Sequence, residues 1–307
     1  MADPDQPHDT TNMLTESTRH AIAETLNIYT LCDTQSLNIQ PIGGGSINDT
    51  YSISLPGNQR FFCKVNSASN FPHLFQKENE GLSLISEQKI IGTPKVIDQF
   101  EINDIQVLLL EWINPGERTS GFWKKFGERL AQLHQKTQDH FGLNEDNYMG
   151  SVSQSNKPEA KWVDFFRDQR LEPLVDHCSH AHLLPAKYHK QFNNLYQHLP
   201  SLFNTDHIPS LVHGDLWSGN FMCNENSDPI LIDPAVYFGL PSIDLGMTTL
   251  FGGFQPAFYE AYQYHTPFPY NYKEQWQVCN LYPLLIHLRL FGTSYLLSIT
   301  QTLNPFS

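Results

Sequence analysis

The run His213-Gly214-Asp215-Leu216-Trp217-Ser218-Gly219-Asn220, with Asp233 thirteen residues beyond Asn220, holds the most chemistry in this chain. An Asp followed five positions later by an Asn, and then by an Asp on the next strand, has the spacing of a catalytic loop for phosphoryl transfer. In such a loop Asp215 would accept a hydroxyl proton. Asn220 and Asp233 would supply the hard oxygen donors that a magnesium ion bridging nucleotide phosphates needs. Another reading makes Asp215 and Asn220 ordinary turn residues and Asp233 a cap before Pro234, but the flanking strands and the signals upstream favour chemistry.

Those signals lie in the first third of the chain. Gly43-Gly44-Gly45-Ser46-Ile47-Asn48 separates two strand-like runs, and a glycine-rich hairpin lets backbone amides approach phosphate oxygens without Cβ obstruction. Taken alone it also reads as a plain flexible turn. It departs from G-x-G-x-x-G by placing Asn48 at the last glycine position, and it is not a Walker A loop, since no G-K-[ST] follows. Lys64 sits in the strand FFCKV, where alternation puts Phe61, Cys63 and Val65 on one face and Lys64 with Phe62 on the other. A lysine in so apolar a strand needs a phosphate or a carboxylate to satisfy it. Glu78 on the following helix is the expected carboxylate, with Glu80 as its competitor. LLLEWI ends this part, and its last backbone groups, Glu111, Trp112 and Ile113, are either a crossing that pairs with adenine or simply a strand end.

The elements that must position these residues fall into two parts. Residues 1–12 read as a mobile polar tail, and residues 13–113 read as a helix, an antiparallel meander (LNIQPI, TYSISL, RFFCKVN), a helix over 73–87 and two more strands. Residues 114–307 read as mainly helical, interrupted by a β-loop-β hairpin that carries the catalytic loop. The fold class is therefore α+β and bilobal, with a small β-rich nucleotide-binding N-lobe and a larger helical C-lobe that carries the catalytic loop and the substrate site.

Composition narrows the partners. The chain has 307 residues, 40% of them hydrophobic, which is enough for a sizeable core, and a formal charge of −13 that repels nucleic-acid backbones and anionic membranes. Cysteines at 32, 63, 178, 223 and 279 form no CxxC pair and suit a reducing, cytoplasmic compartment. The N-terminus lacks the basic and apolar regions of a signal peptide. The apolar stretch LYPLLIHLRLFGTSYLLSI carries Pro283, His287 and Arg289 and reads as a buried helix, so no membrane span is expected. The run from Asp176 to His182 is too closely spaced for a closed zinc site and reads as a helix end with solvated histidines. Asp244 reads as a helix-start carboxylate that anchors the catalytic-loop backbone.

These motifs resemble the fructosamine kinase family (ketosamine 3-kinases), within the protein-kinase-like and aminoglycoside-phosphotransferase-like superfamily. GGGSIN, FFCKVN, FQKENEGLSLI, WVDFFRDQRL, LVHGDLWSGN, IDPAVYFG and LFGGF carry the resemblance across roughly residues 20–300. It implies an ATP- and magnesium-dependent kinase that phosphorylates the O3 hydroxyl of ribulosamine or fructosamine adducts on lysines or free amines and so initiates deglycation. By carry-over Asp215 is the base, Asn220 and Asp233 hold magnesium, and Gly43, Gly44, Gly45, Ser46, Lys64, Glu78 and the Glu111–Ile113 backbone serve the nucleotide. His213 and Trp217 are assigned to the substrate side, with a core position as the other reading for Trp217. Ser46 stands where some relatives carry a cysteine, which argues against a thiol switch there. Asp-Pro-Ala in place of Asp-Phe-Gly argues against activation-segment control. Two rivals remain: a different small-molecule kinase of the superfamily, acting on an aminoglycoside, choline or homoserine, and a pseudokinase scaffold. The scaffold predicts loss of a catalytic residue, whereas Lys64, Asp215, Asn220 and Asp233 are all present.

Overall fold

A computed structural model describes residues 14–30, 37–43, 47–203 and 207–307. The expected tail, together with Gly44, Gly45, Ser46 and Cys32, lies outside the described residues. The chain divides into two compact units, one running through Ser83 with Thr93–Asn114, the other comprising Leu84–Gly92 and Pro115–Ser307.

The first unit is built on a five-stranded antiparallel sheet. Helix α1 (Glu16–Thr30) precedes β1 (Asn38–Pro41), β2 (Asp49–Ser54) and β3 (Arg60–Ser67); α2 (Leu74–Ser86), β4 (Val96–Ile102) and β5 (Ile105–Glu111) follow, and the strand order is β1-β2-β3-β5-β4. The period-two pattern of β3 decides its two faces. Phe61, Cys63 and Val65 pack with Tyr51, Ile53, Val107 and Leu109 and with Ile22 and Leu26 of α1 in one core. Lys64, in register with Thr50 on one side and Leu108 on the other, belongs to the opposite face.

The second unit is mainly helical. In chain order it holds α3 (Ser120–Leu133), the hairpin β6 (Asn147–Met149) and β7 (Val152–Gln154), α4 (Trp162–Phe165), a π-helical turn Phe166–Leu171, α5 (Glu172–His180) and α6 (His189–Leu202). Then come four short strands, β8 (Ser210–Val212), β9 (Phe221–Cys223), β10 (Pro229–Leu231) and β11 (Tyr237–Gly239). Five helices complete it, α7 (Pro241–Leu250), α8 (Pro256–His265), α9 (Tyr272–Cys279), α10 (Leu281–Phe291) and α11 (Leu296–Leu303). α3 starts cleanly because Thr119 accepts the Phe122 backbone N–H, and its apolar stripe of Phe122, Phe126 and Leu130 packs with Phe221, Leu231 and Phe258. Ile85 and Ile91 complete that core.

The four short strands differ from the single hairpin expected from the sequence. β9 pairs with β10, but β8 pairs with β11, so the catalytic loop leaves one two-stranded ladder and enters another. Three-residue strands carry too little pattern to announce such a partner change. No helix among the described residues is long and apolar enough to cross a membrane.

Candidate active site

Two groups of residues, one in each unit, contain the predicted chemistry. In the first unit Lys64 Nζ donates to Glu78 Oε1 at 2.6 Å, and both side chains are nearly buried. Glu80 instead pairs with Lys77 at 2.8 Å on the exposed side of α2, which settles the competition in favour of Glu78. Two residues along a helix turn by about 200°, so the two glutamates cannot share a face. The hairpin around the glycine loop is closed on both sides: Ile42 N–H donates to the Thr50 carbonyl at 2.8 Å and the Thr50 hydroxyl to the Ile42 carbonyl at 2.7 Å. Asn48, at the expected glycine position, accepts from Asn66 Nδ2 at 2.6 Å, so its side chain ties the loop to β3. Gly43 is exposed at the loop's start. Glu111 closes β5 by donating its N–H to Lys95, and the Trp112 ring lies under the Arg60 guanidinium at 3.8 Å.

In the second unit the catalytic loop is fixed from below by Asp244, in the first turn of α7, as the sequence predicted. Its carboxylate accepts the N–H of His213 at 2.7 Å and that of Gly214 at 2.9 Å, and it also meets His134 Nε2 at 3.1 Å. Tyr262 supports the other ring nitrogen of His134 at 2.8 Å. Burial works to raise the Asp244 carboxyl, but the hydrogen bond and charge of His134 outweigh it and hold the group below the ordinary carboxylate range. Gly214 has φ +84°, and a Cβ there would stand 2.1 Å from the Ala235 carbonyl oxygen, so only glycine permits this turn.

His213 was expected to face substrate, yet it is fully buried. Its Nδ1 accepts the Asp215 N–H at 3.2 Å, which requires the neutral imidazole, and in that tautomer its Nε2 donates to the Ile232 carbonyl at 2.9 Å. Burial lowers its pKa in the same sense. The ring braces the loop against the strand that leads to Asp233 and has no surface to offer a ligand.

Asp215 is half-buried. Loss of hydration, reinforced by the Asp233 charge, pushes its carboxyl up to about 7, while the Asn220 hydrogen bond pulls the other way. Asn220 Nδ2 donates both to Asp215 Oδ2 and to the Asp215 carbonyl, each at 2.9 Å, which leaves the amide oxygen as the atom with lone pairs to offer. Asp233 is exposed and has φ +54°, a left-handed conformation that Asp tolerates better than most residues. The oxygen donors at Asn220 and Asp233 suit a hard cation such as magnesium, which takes few protein ligands and completes its shell from phosphates and water.

Trp217 is 36% exposed, and its indole lies over Gly219, where a Cβ would come within 2.3 Å of the ring. That rules out a core position. Phe251 meets it edge-on at 5.8 Å, and His287 follows Phe251 at 5.2 Å, so an aromatic row leads away from the loop. LFGGF pointed to Phe251; nothing in the sequence pointed to His287, 36 positions further on.

A small antiparallel β unit carrying a Lys–Glu pair, followed by a helical unit carrying a D-x-x-x-x-N loop and a strand-borne Asp, defines a phosphotransferase of the kinase-like class. The sequence model of the fructosamine kinase family matches residues 18–306, and the chain belongs to that family. It is similar to a probable ketoamine kinase of Enterococcus faecium, 34% identical over 286 residues, covering 92% of this chain and 100% of that protein. It is also similar to the chloroplastic protein-ribulosamine 3-kinase of Arabidopsis thaliana, 32% identical over 277 residues, covering 89% and 83%. The fold is shared with the crystal structure of a candidate fructosamine-3-kinase from Haemophilus somnus at a TM-score of 0.83 and 24% identity, covering 93% of this chain and 96% of that one.

Proposed function

We propose that this kinase uses ATP and magnesium to phosphorylate the O3 hydroxyl of a ketoamine, the ribulosamine or fructosamine adduct that glycation leaves on lysine side chains or free amines. The observation that carries the reading is the Asp215 loop, in which a carboxylate tuned near neutrality is held by Asn220 on a backbone pinned by Asp244. A base with a pKa close to the working pH combines a useful ionised fraction with enough basicity to take a hydroxyl proton. Asp215 is the base. Asn220, through its amide oxygen, and Asp233 hold the cation, which when bound offsets negative charge on the transferring phosphoryl group. Lys64, oriented by Glu78, together with the Gly43–Ser46 loop and the Glu111–Ile113 backbone, binds the nucleotide. Trp217 stacks on the acceptor, while His213 positions Asp215 from beneath.

The position of transfer follows the names of the relatives, one a protein-ribulosamine 3-kinase. Phosphate at O3 is a far better leaving group than hydroxide, so the product can lose it and go on to release the amine, a deglycation step. A reducing cytoplasmic setting fits the four free cysteines among the described residues, all buried. The acidic chain suits ketoamines, as small molecules or on proteins, better than nucleic acid or anionic membrane.

The reading is tested by measuring ATP consumption with ribulose-lysine and fructose-lysine beside choline, homoserine and an aminoglycoside panel, and by locating the phosphate by NMR. Turnover on a ketoamine with phosphate at O3 is expected. Turnover confined to an aminoglycoside, choline or homoserine would replace the assignment with that rival, and no turnover despite nucleotide binding would favour the scaffold.

A further inference from the structure

The segment WVDFFRDQRL has no part in the chemistry described so far, yet it buries an arginine completely. Trp162–Phe165 is α-helical and Phe166–Leu171 continues as a π-helical turn. Such insertions turn a side chain away from the helical register and occur often at functional sites. This turn contains Arg170, 0% exposed, and no carboxylate among the described residues pairs with it. Its guanidinium lies 4.1 Å from the Tyr237 ring, 4.5 Å from Phe165 and 5.4 Å from Tyr282, and it donates to the carbonyls of Ser155 and Gln169. A buried charge costs several kcal/mol unless its surroundings answer it, so aromatic faces and carbonyls here replace a counter-ion.

Nη2 starts a relay, while Nε is buried without a hydrogen-bond partner among the described residues. Arg170 Nη2 donates to Asn156 Oδ1 at 2.7 Å, Asn156 Nδ2 to Asn147 Oδ1 at 2.9 Å, and Asn147 Nδ2 to the Val236 carbonyl at 2.8 Å. Gln154 Nε2 runs beside it to Asn147 Oδ1 at 2.8 Å and to the Ala235 carbonyl at 3.2 Å, oriented by the Tyr282 hydroxyl at 2.8 Å. All three amides are buried. Because a guanidinium can only donate, Arg170 dictates which way Asn156 faces, Asn156 dictates Asn147, and the relay can end only on an acceptor. Its end points are the carbonyls two and three residues beyond Asp233, whose own backbone is in the left-handed region.

We infer that Arg170 is a positioning residue for the metal site: through Asn156 and Asn147 it holds the Asp233-Pro234-Ala235-Val236 turn, and so the Asp233 carboxylate, where the cation needs it. The inference rests on the assignment of Asp233 as a metal ligand.

The test measures Mn2+ affinity by electron paramagnetic resonance in the presence of AMP-PNP, beside melting temperature and steady-state kinetics, for Arg170→Met, Asn156→Ala and Asp233→Asn. Partners that orient metal ligands are worth about ten- to a hundredfold in metal affinity. Folded Arg170→Met is expected to weaken Mn2+ binding about tenfold and to raise the half-saturating metal concentration in turnover equally, with the KM for ketoamine nearly unchanged. Asn156→Ala keeps the arginine and breaks the relay, together with the Asn156 bond to the Glu145 carbonyl at 3.1 Å, so it should show the same shift if Arg170→Met does not fold. A lowered melting temperature in either variant with wild-type Mn2+ affinity would make Arg170 a packing residue and overturn the inference. Wild-type Mn2+ affinity in Asp233→Asn would bring down the metal assignment itself, and the inference with it.

Discussion

The two charged centres of this chain are built on opposite plans. In the first unit a lysine and a glutamate meet directly at 2.6 Å and neutralise each other. In the second, Asp215 and Asp233 stand near enough for one to raise the pKa of the other, and the side chain that bonds Asp215 is a neutral amide. A matched pair keeps its shape with or without a ligand and costs little further desolvation. Two neighbouring carboxylates repel, and that repulsion is relieved when a cation arrives. On the function proposed above, the contrast gives pre-organisation to the lysine side and cation affinity to the aspartate side.

The change expected to break the comparison most severely is Asp215→Asn. It keeps the shape of the side chain and removes the proton acceptor, so kcat should fall by about 10²–10⁴ while nucleotide binding persists. Stopped-flow and equilibrium nucleotide binding separate the two effects, and near-wild-type kcat would remove Asp215 from its role. Lys64→Met comes next. Removing one member of a buried pair typically costs about 3–5 kcal/mol, and the lost phosphate partner should raise the KM for ATP by roughly ten- to a hundredfold, while the KM for ketoamine moves little. A change confined to the ketoamine KM would show that the first centre does not serve the nucleotide.

Asp244→Asn should have the smallest effect on chemistry, acting mainly through stability. Hydrogen bonds to a charged acceptor contribute about 1.5–3 kcal/mol each, and two backbone donors depend on this carboxylate. Because the folded protein holds its pKa below the ordinary range, the stabilisation it gives is complete above about pH 4 and drains away as pH falls. The wild type should therefore lose an acid-dependent share of its melting temperature that the variant lacks. Parallel pH profiles for the two proteins would contradict that account.

How far the sequence revealed this arrangement depended on the range of the interaction. Alternation in FFCKV separates Lys64 from the core face by strand geometry alone, and helical rotation separates Glu78 from Glu80 in the same way. Asp215 and Asn220 were readable because both sit in one turn. Partners joined across long stretches were not: His134 lies 110 positions from Asp244, and the pairing of β8 with β11 rests on strands of three residues. For His213 the sequence is silent on which way the ring faces, because a histidine two positions before an Asp reads the same whether it meets ligand or core; the difference lies in Ile232, nineteen positions away, whose carbonyl accepts from its Nε2. The arginine relay was hidden for the same reason, as its amides come from a loop and hairpin remote in sequence from the turn they hold.

Trp217 also gives the enzyme a built-in optical probe. Among the five tryptophans, Trp123, Trp162 and Trp276 are shut inside the protein and Trp112 is half covered, whereas the Trp217 indole near Asp215 is exposed to solvent. Emission that shifts or quenches on titration with a sugar adduct would therefore report occupancy of the acceptor side without any label, and the Trp217→Phe protein supplies the blank.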